Sequence, residues 1–392
     1  VHLRSLSRTT FGNIDLTNRT LFGSLFYMHG LRCICNDWLR QSRRVGVLLA
    51  TVISAAGCIE SLDTEHSPIG TIERDCVIPA PREIEALSAP SSIEYSGRSL
   101  WIWETLSLTE GGEVDTPYAR VASADNLCAD GPELALNADG KVASLISLTE
   151  TEQAENDVRS DGRRLKLVPR GGFVDQGTAY LFYDHLLRGP TAFDEQNLGT
   201  GLCVLRDEAA PCERVGLPDD TRIFDPQVRV LNRGGLVVDG RALVYGCRSV
   251  AALQGVCTVT GAPLDALTVA AKYQVHNDFS GWQTALEQAS NISDEIGPIT
   301  VSPRGRGYLM TVLDIFDSRV YLRHADTPLG PFGRRIPAFQ TLPTRGGFPG
   351  GGREHAGLSR DPQTIHLTYT TDDPSAPGLH IVTFRSFGEF WE

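Results

Sequence analysis

Lysine is nearly missing from this chain of 392 residues: of 36 basic residues, only Lys141, Lys166 and Lys272 are lysines. Methionine is almost as scarce, with two residues. Acidic residues outnumber basic ones and the net charge is −12. This net charge would repel phosphate, so nothing in the totals suggests a nucleic-acid partner. The chain also lacks a GxSxG elbow, a Walker A loop, a GxGxxG turn after a strand and an HExxH helix. Esterase, nucleotide-binding and zinc-protease chemistries therefore have no local signature here. What is abundant is glycine (39) and proline (22), which favours many turns and an all-β fold.

Residues 40–58 read RQSRRVGVLLATVISAAGC. A basic stretch (Arg40, Arg43, Arg44) precedes an apolar run from Val45 to Ala56, too short to span a bilayer. Small residues then follow, as a secretory signal requires. Ala55-Ala56-Gly57-Cys58 resembles the lipobox of bacterial lipoproteins, with Ala55 where leucine is commoner. That resemblance implies lipidation of Cys58, cleavage before it, and residence in the bacterial cell envelope with only a lipid in the membrane. An ordinary signal peptide cut nearby is the alternative. The expected organisation is residues 1–57 as a start placed too early plus a signal peptide, 58–80 as a tether, and 81–392 as one folded module.

Six cysteines remain beyond Cys58: Cys76, Cys128, Cys203, Cys212, Cys247 and Cys257. Export permits disulfides, and an even count suits them. Six cysteines allow 15 pairings. Proximity along the chain favours Cys203 with Cys212 and Cys247 with Cys257, which leaves Cys76 with Cys128. Their spacings do not match a zinc site.

The chain repeats itself. Arg170-Gly-Gly-Phe-Val-Asp-Gln-Gly and Arg233-Gly-Gly-Leu-Val-Val-Asp-Gly each read as strand, turn, strand. Segments 91–104, 296–313 and 356–369 follow the same plan, with turns near Ser96, Asp175, Asp239, Arg304 and Asp361. Strand-like runs follow each hairpin, and one helix is expected over Leu148–Asp161. Five antiparallel units of this kind predict a five-bladed β-propeller.

Segments 297–332 (GPITVSPRGRGYLMTVLDIFDSRVYLRHADTPLGPF) and 353–384 (REHAGLSRDPQTIHLTYTTDDPSAPGLHIVTF) resemble the last two blades of the bacterial domain-of-unknown-function family 4185. That family is similar in fold to arabinanase- and levansucrase-type glycosidases. The resemblance implies a secreted, glycan-facing propeller. It also makes His355 a ligand or metal residue, with calcium at the propeller axis as the cofactor to test for. No metal-ligand set is legible in the residues themselves.

Propeller geometry brings the starts of first strands and the ends of second strands to one face. Glu104, Asp184 and Glu295 are the carboxylates in that set. Glycosidic cleavage needs two carboxyl groups about 5 to 9.5 Å apart, so these three are the catalytic candidates. The alternative is that they pair with arginines. Arg170, Arg233 and Arg353 occupy equivalent positions and suit bidentate binding of anionic sugars, or else lock neighbouring sheets together. Trp282 is the expected sugar platform, whereas Trp101 and Trp103 share a face and are expected to pack between sheets. Three readings stay open: a glycoside hydrolase-like enzyme, a glycan-binding module, and a scaffold lipoprotein that uses the rim for protein partners. A monomer is expected.

Overall fold

The computed structural model describes residues 69–392, except 191–193, 208–209, 217–220, 226–233, 252–253, 296–298, 343–348, 360, 373–376 and 388–392. These residues belong to one unit, Ser61–Glu392. The signal segment, Cys58 and Arg233 lie outside the described residues.

The chain runs from β1 (Gly70–Val77) to β2 (Ser91–Tyr95), β3 (Arg98–Ile102), β4 (Thr105–Ser107), β5 (Glu113–Asp115) and β6 (Tyr118–Val121). Helices α1 (Ala124–Asp130) and α2 (Glu150–Val158) follow. Next come β7 (Arg164–Asp175), β8 (Thr178–Arg188), β9 (Glu195–Leu205), β10 (Glu213–Arg214) and β11 (Arg222–Phe224). A further group is β12 (Gly235–Val238), β13 (Arg241–Ala251), β14 (Gln254–Pro263), β15 (Gln274–Asn277) and β16 (Gly281–Gln283). The last two groups are β17 (Ile299–Arg304), β18 (Gly307–Asp314), β19 (Arg319–Ala325) and β20 (Ile336–Gln340), then β21 (Gly350–Glu354), β22 (Thr364–Thr371) and β23 (Gly378–Ser386).

Sequence neighbours pair within each group, giving the sheets β2-β3-β6, β7-β8-β9-β10, β12 to β16, β17 to β20 and β21-β22-β23. β1 departs from this pattern. It pairs antiparallel with β23, Gly70 opposite Ser386 and Val77 opposite His380, so the last sheet contains both ends of the described chain. The folded module thus starts inside the stretch 58–80 expected as tether.

Period-two alternation assigns each strand two interfaces. In β18, Leu309 and Leu313 pack towards the last sheet while Met310 and Val312 pack towards the third. Five apolar clusters result, each shared by two consecutive sheets. The last and first sheets share one around Trp101, Trp103, Leu379 and Ile381. The first and second share Ile93, Ile102, Leu181 and Leu205, and the second and third share Phe173, Phe182, Val244 and Ala262. With the third–fourth and fourth–last clusters, the five interfaces run in cyclic order.

Ser96-Gly97, Gln176-Gly177 and Asp239-Gly240 each put two consecutive residues at positive φ, the type I′ geometry that matches strand twist. The connection at Asp361 differs from expectation. Between β21 and β22 the chain makes a 3-10 turn, Ala356–Leu358, and Asp361 Oδ1 accepts from the Gln363 and Thr364 amides.

The expected helix is α2. Thr149 Oγ1 accepts from the Glu152 amide and Glu152 Oε2 accepts from the Thr149 amide, a reciprocal cap. α1 was not foreseen. The three disulfides are those expected, Cys76–Cys128, Cys203–Cys212 and Cys247–Cys257. The first joins β1 to α1. No helix among the described residues is long and apolar enough to cross a membrane.

The glycines at 350–352 lie in β21. A Cβ on Gly350 would fall 2.4 Å from Thr370 Oγ1, on Gly351 2.1 Å from Ala89 Cβ, and on Gly352 2.1 Å from Leu313 Cβ. The three residues let the strand pass close to its own, the first and the fourth sheets at once.

Candidate functional site

β2, β7, β12 and β17, with Glu354 to Ser359 of the last sheet, surround a cavity of about 570 Å³. It is lined by small and hydroxyl-bearing positions, among them Ser92, Gly172, Gly234, Thr300 and Ser302. One end is marked by the hairpin turn Ser96-Gly97 and by Arg304; this is the turn end. Arg170, mid-way along β7, and Arg353, beside Glu354 in β21, are not part of this lining.

The repeated Arg-Gly-Gly motif has a local cause. Gly171 and Gly234 adopt φ of 135° and 131°, which favours glycine. The second glycine has a packing role: a Cβ on Gly172 would reach Tyr180 O, and one on Gly235 would reach Phe173 of the preceding sheet. Arg170 thus lies at an irregularity mid-way along β7, where its Nε donates to Asp184 Oδ2 at 2.8 Å. Arg353 Nη1 donates to the Arg170 carbonyl at 3.0 Å, so a residue of the last sheet reaches the second sheet across the start of the first. Arg170 keeps about a quarter of its side chain exposed, 26%.

The three candidate carboxylates are held separately. Glu104 follows β3 and pairs with Arg188, which also holds Glu195. Asp184 is fully buried and takes Arg170 on one oxygen and Thr200 Oγ1, at 2.8 Å, on the other. Glu295 is fully buried between Arg335 and Arg323. Arg335 extends to Asp314 at 2.7 Å. Burial would lower the Arg335 pKa, but the carboxylates of Glu295 and Asp314 hold it above the ordinary arginine value. Among the described residues the printed pairs use different arginines for each group, and the carboxylates lining the channel cavity are Glu94 and Glu354 instead.

Glu354 is the best-satisfied acid in the channel. Ser302 Oγ donates to both of its oxygens, at 2.9 and 3.0 Å, Thr311 Oγ1 donates at 3.0 Å, and Arg304 completes the set. Both ion-pair partners are buried. Arg304 was not foreseen as a site residue; its turn position, near Gly305, drew attention only as turn chemistry.

His355 sits inside the packing. It is fully buried, its Nδ1 lies 2.7 Å from Ser92 Oγ and its Nε2 2.7 Å from Thr368 Oγ1. Its ring stacks on Trp101 at 4.4 Å. Burial, helped by the charges of His366 and Arg353, pushes its pKa down to about 3, so it is a neutral ring at physiological pH. Trp282 lies on β16, at the far edge of the third sheet from β12. Arg241 covers its ring at 4.4 Å and Gly261 lies beneath it. The structure does not bring Trp282 to Arg170, Arg353 and His355.

A second buried polar group has no local sequence signal. Arg214 of β10 donates to Tyr183 Oη at 2.8 Å and grips both oxygens of Glu152, with His185 beside them. Burial opposes charge on Glu152, yet the Arg214 hydrogen bonds hold its pKa below the ordinary value. This group ties α2 to the second sheet.

Calcium takes about six to eight oxygens. Among the described residues no group of three or more His, Cys, Asp or Glu could hold a metal, and the Glu354 oxygens are engaged by Arg304, Ser302 and Thr311. The residues at the channel do not fit a calcium site.

No family model and no curated relative matches the sequence. Solved structures do match in fold. A putative hydrolase from Bacteroides ovatus aligns with TM-score 0.51 and 14% identity over 79% of this chain and 87% of its own. Zg3597, a family 117 glycoside hydrolase of Zobellia galactanivorans, aligns at 0.47 and 11% identity, covering 83% and 91%. A GH43_1 enzyme from Xanthomonas citri aligns at 0.46 and 15% identity, covering 79% and 91%. What the chain shares with the first of these, at such low identity, is the fold.

Proposed function

We propose that this chain is a five-bladed β-propeller that binds anionic carbohydrate at Arg170 and Arg353, exported and anchored to the bacterial envelope through Cys58. The propeller reading is supported by the five interface clusters in cyclic order and by the resemblance of segments 297–332 and 353–384. The observation that carries the binding reading is the contact of Arg353 with the Arg170 carbonyl, which brings a guanidinium of the last sheet to the Arg170 backbone of the second, with the Arg170 side chain still 26% exposed. Guanidinium forks suit uronate carboxylates and sulfate groups.

Binding is favoured over hydrolysis because each candidate carboxylate is already clasped by arginine. A retained proton on a general acid requires the opposite environment, one that disfavours the charged form. The scaffold reading has less support: Phe279 is 99% exposed, but a lone ring is not the contiguous apolar patch that marks a protein interface.

A glycan array probed with the oxidised chain tests the proposal. Retention of uronate-containing or sulfated glycans, lost in Arg170→Ala and Arg353→Ala, is the expected outcome. Equal binding by these variants, or no retention of any polysaccharide, refutes it. Arg353→Lys should restore only part of the binding, since an ammonium cannot form the two-pronged contact.

A further inference from the structure

Among the described strands, β1 alone has all of its ladder partners at the far end of the chain. It is the outermost strand of the last sheet, and Thr71 to Asp75 are exposed. The pairs Glu73–Arg385 and Arg74–Asp125 join exposed groups, which add little. Firmer holds come from Ile69 and Ile78, buried on either side of the strand. Asp75 adds to them: it accepts from Tyr369 Oη at 3.1 Å and meets His380 Nδ1 at 2.8 Å. Cys76 is bonded to Cys128 of α1.

The edge under β1 is selective. Without β1 the outer ladder groups of β23 are unpaired, and such an edge takes an added strand. β23 itself stays in place, because β22 pairs with it from Thr364 to Thr371 and Leu379, Ile381, Val382 and Phe384 are buried. The strand that fills the edge must carry glycine opposite Ser386: a Cβ on Gly70 would fall 2.3 Å from Arg385 O and 2.4 Å from Phe384 Cζ. β1 meets that demand, and β1 of a second copy meets it equally well. What favours the chain's own strand is connection. Residues 78–90 lead from β1 to the first sheet, with Ile84 and Leu87 buried beside Trp103. Such a tether raises the local concentration of the attached strand but leaves exchange open when chains are concentrated. A covalent bond at the docked position, Cys76–Cys128, ends it.

We propose that the β23 edge is an interaction surface for β1 of a second copy, and that the Cys76–Cys128 bond decides which occupant it holds. With the bond made, each chain keeps its own β1. With both cysteines as thiols, two copies exchange β1 reciprocally, and the two-fold swap fills both edges and stops at a dimer. Arg170 and Arg353 take no part, so this does not rest on the anionic-glycan reading.

Isotope mixing on the full chain tests it. Equal amounts of isotope-labelled and unlabelled protein are mixed without denaturant and reduced with dithiothreitol. They are then re-oxidised with glutathione disulfide, which is itself reduced to glutathione as the thiols join. Mass spectrometry reads the peptides linked through Cys76 and Cys128, and a pair with one labelled half marks a bond between copies. The share of mixed pairs should rise with protein concentration towards that of random pairing, and be nil when the mixture is never reduced. Gly70→Leu, which cannot seat over Phe384, should lose them. The Cys76→Ser/Cys128→Ser double variant should shift from monomer to dimer on size exclusion as its concentration rises, while the oxidised parent does not. The proposal is overturned if mixed pairs stay absent at every concentration, if Gly70→Leu, folded by circular dichroism, forms them as the parent does, or if the double variant elutes as the oxidised parent at every concentration. Loss of the fold on reduction also overturns it, since no docked edge then remains to be exchanged.

Discussion

His355 of the last sheet and Ser92 of the first are joined by a 2.7 Å hydrogen bond through the histidine Nδ1. The contact closes the seam at which the sheet cycle begins and ends, and it uses a ring that remains neutral. Because the folded pKa is pushed down to about 3 from the ordinary 6.5, the unfolded chain binds a proton that the folded one refuses. Stability from this group is complete above pH 6.5 and falls as the pH drops from 6.5 towards 3, by at most about 1.4 kcal/mol per pH unit. His366, whose pKa is lowered mainly by burial, adds a slope of the same sign. Urea midpoints measured from pH 7 to pH 4 should fall, and His355→Gln should flatten the profile. A parent profile without a decline over that range would contradict the neutral, buried assignment.

The disulfides should differ in worth. Cys76–Cys128 closes a separation of 52 residues and Cys203–Cys212 one of 9. On the chain-entropy account the longer loop contributes about 4 kcal/mol and the shorter roughly 2–3. Paired serine substitutions compared by chemical denaturation should show the larger loss for Cys76/Cys128.

Carboxylates offer a sharper contrast. Glu354→Gln leaves Arg304 buried against a neutral partner and should cost about 3–5 kcal/mol; Glu295→Gln should cost less, because Arg335 is 32% exposed and keeps Asp314, and Arg323 keeps Asp294. Glu104 and Arg188 are about one third exposed, 32% and 35%, and Glu104→Gln should cost about 1 kcal/mol or less. Thermal melts check the order. If Glu295→Gln instead keeps its stability and abolishes release of reducing sugar from a polysaccharide, Glu295 is catalytic and the binding reading falls.

Gly352→Ala should destabilise by about 1–3 kcal/mol through overpacking, since the new methyl would fall 2.1 Å from Leu313 Cβ. Gly111→Ala meets nothing within 4 Å but sits at φ 89°, so its cost should come from the backbone alone and be nearer 1 kcal/mol. Equal losses would mean that β21 shifts freely between its neighbours.

Much of this was legible before any coordinates. The near-continuous apolar run in segments such as GYLMTVLD marked strands because both faces of the strand are buried, and the Asp/Gly pairs near Asp239 and Asp175 marked turns because few residues tolerate two positive φ values in succession. Arg170, expected just before a strand, lies within β7, and its partner Asp184 lies 14 residues on, a pairing set by the β7–β8 register. Glu295 with Arg335, and Glu152 with Arg214, join residues 40 and 62 apart, and nothing local announces such pairs. His355 stood out in sequence. Its burial depends on Trp101, which belongs to another sheet, so its surroundings could not be read from its own segment. Cys58 and Arg233 keep the roles expected of them as proposals.

The pairing of β1 with β23 imposes an order on biosynthesis. While the chain is being made, β1 has no partner strand until residues up to Ser386 have emerged, and before then the sheets form at most an open arc. If the chain is exported as proposed, β1 meets β23 on the far side of the membrane, where the Cys76–Cys128 bond can form.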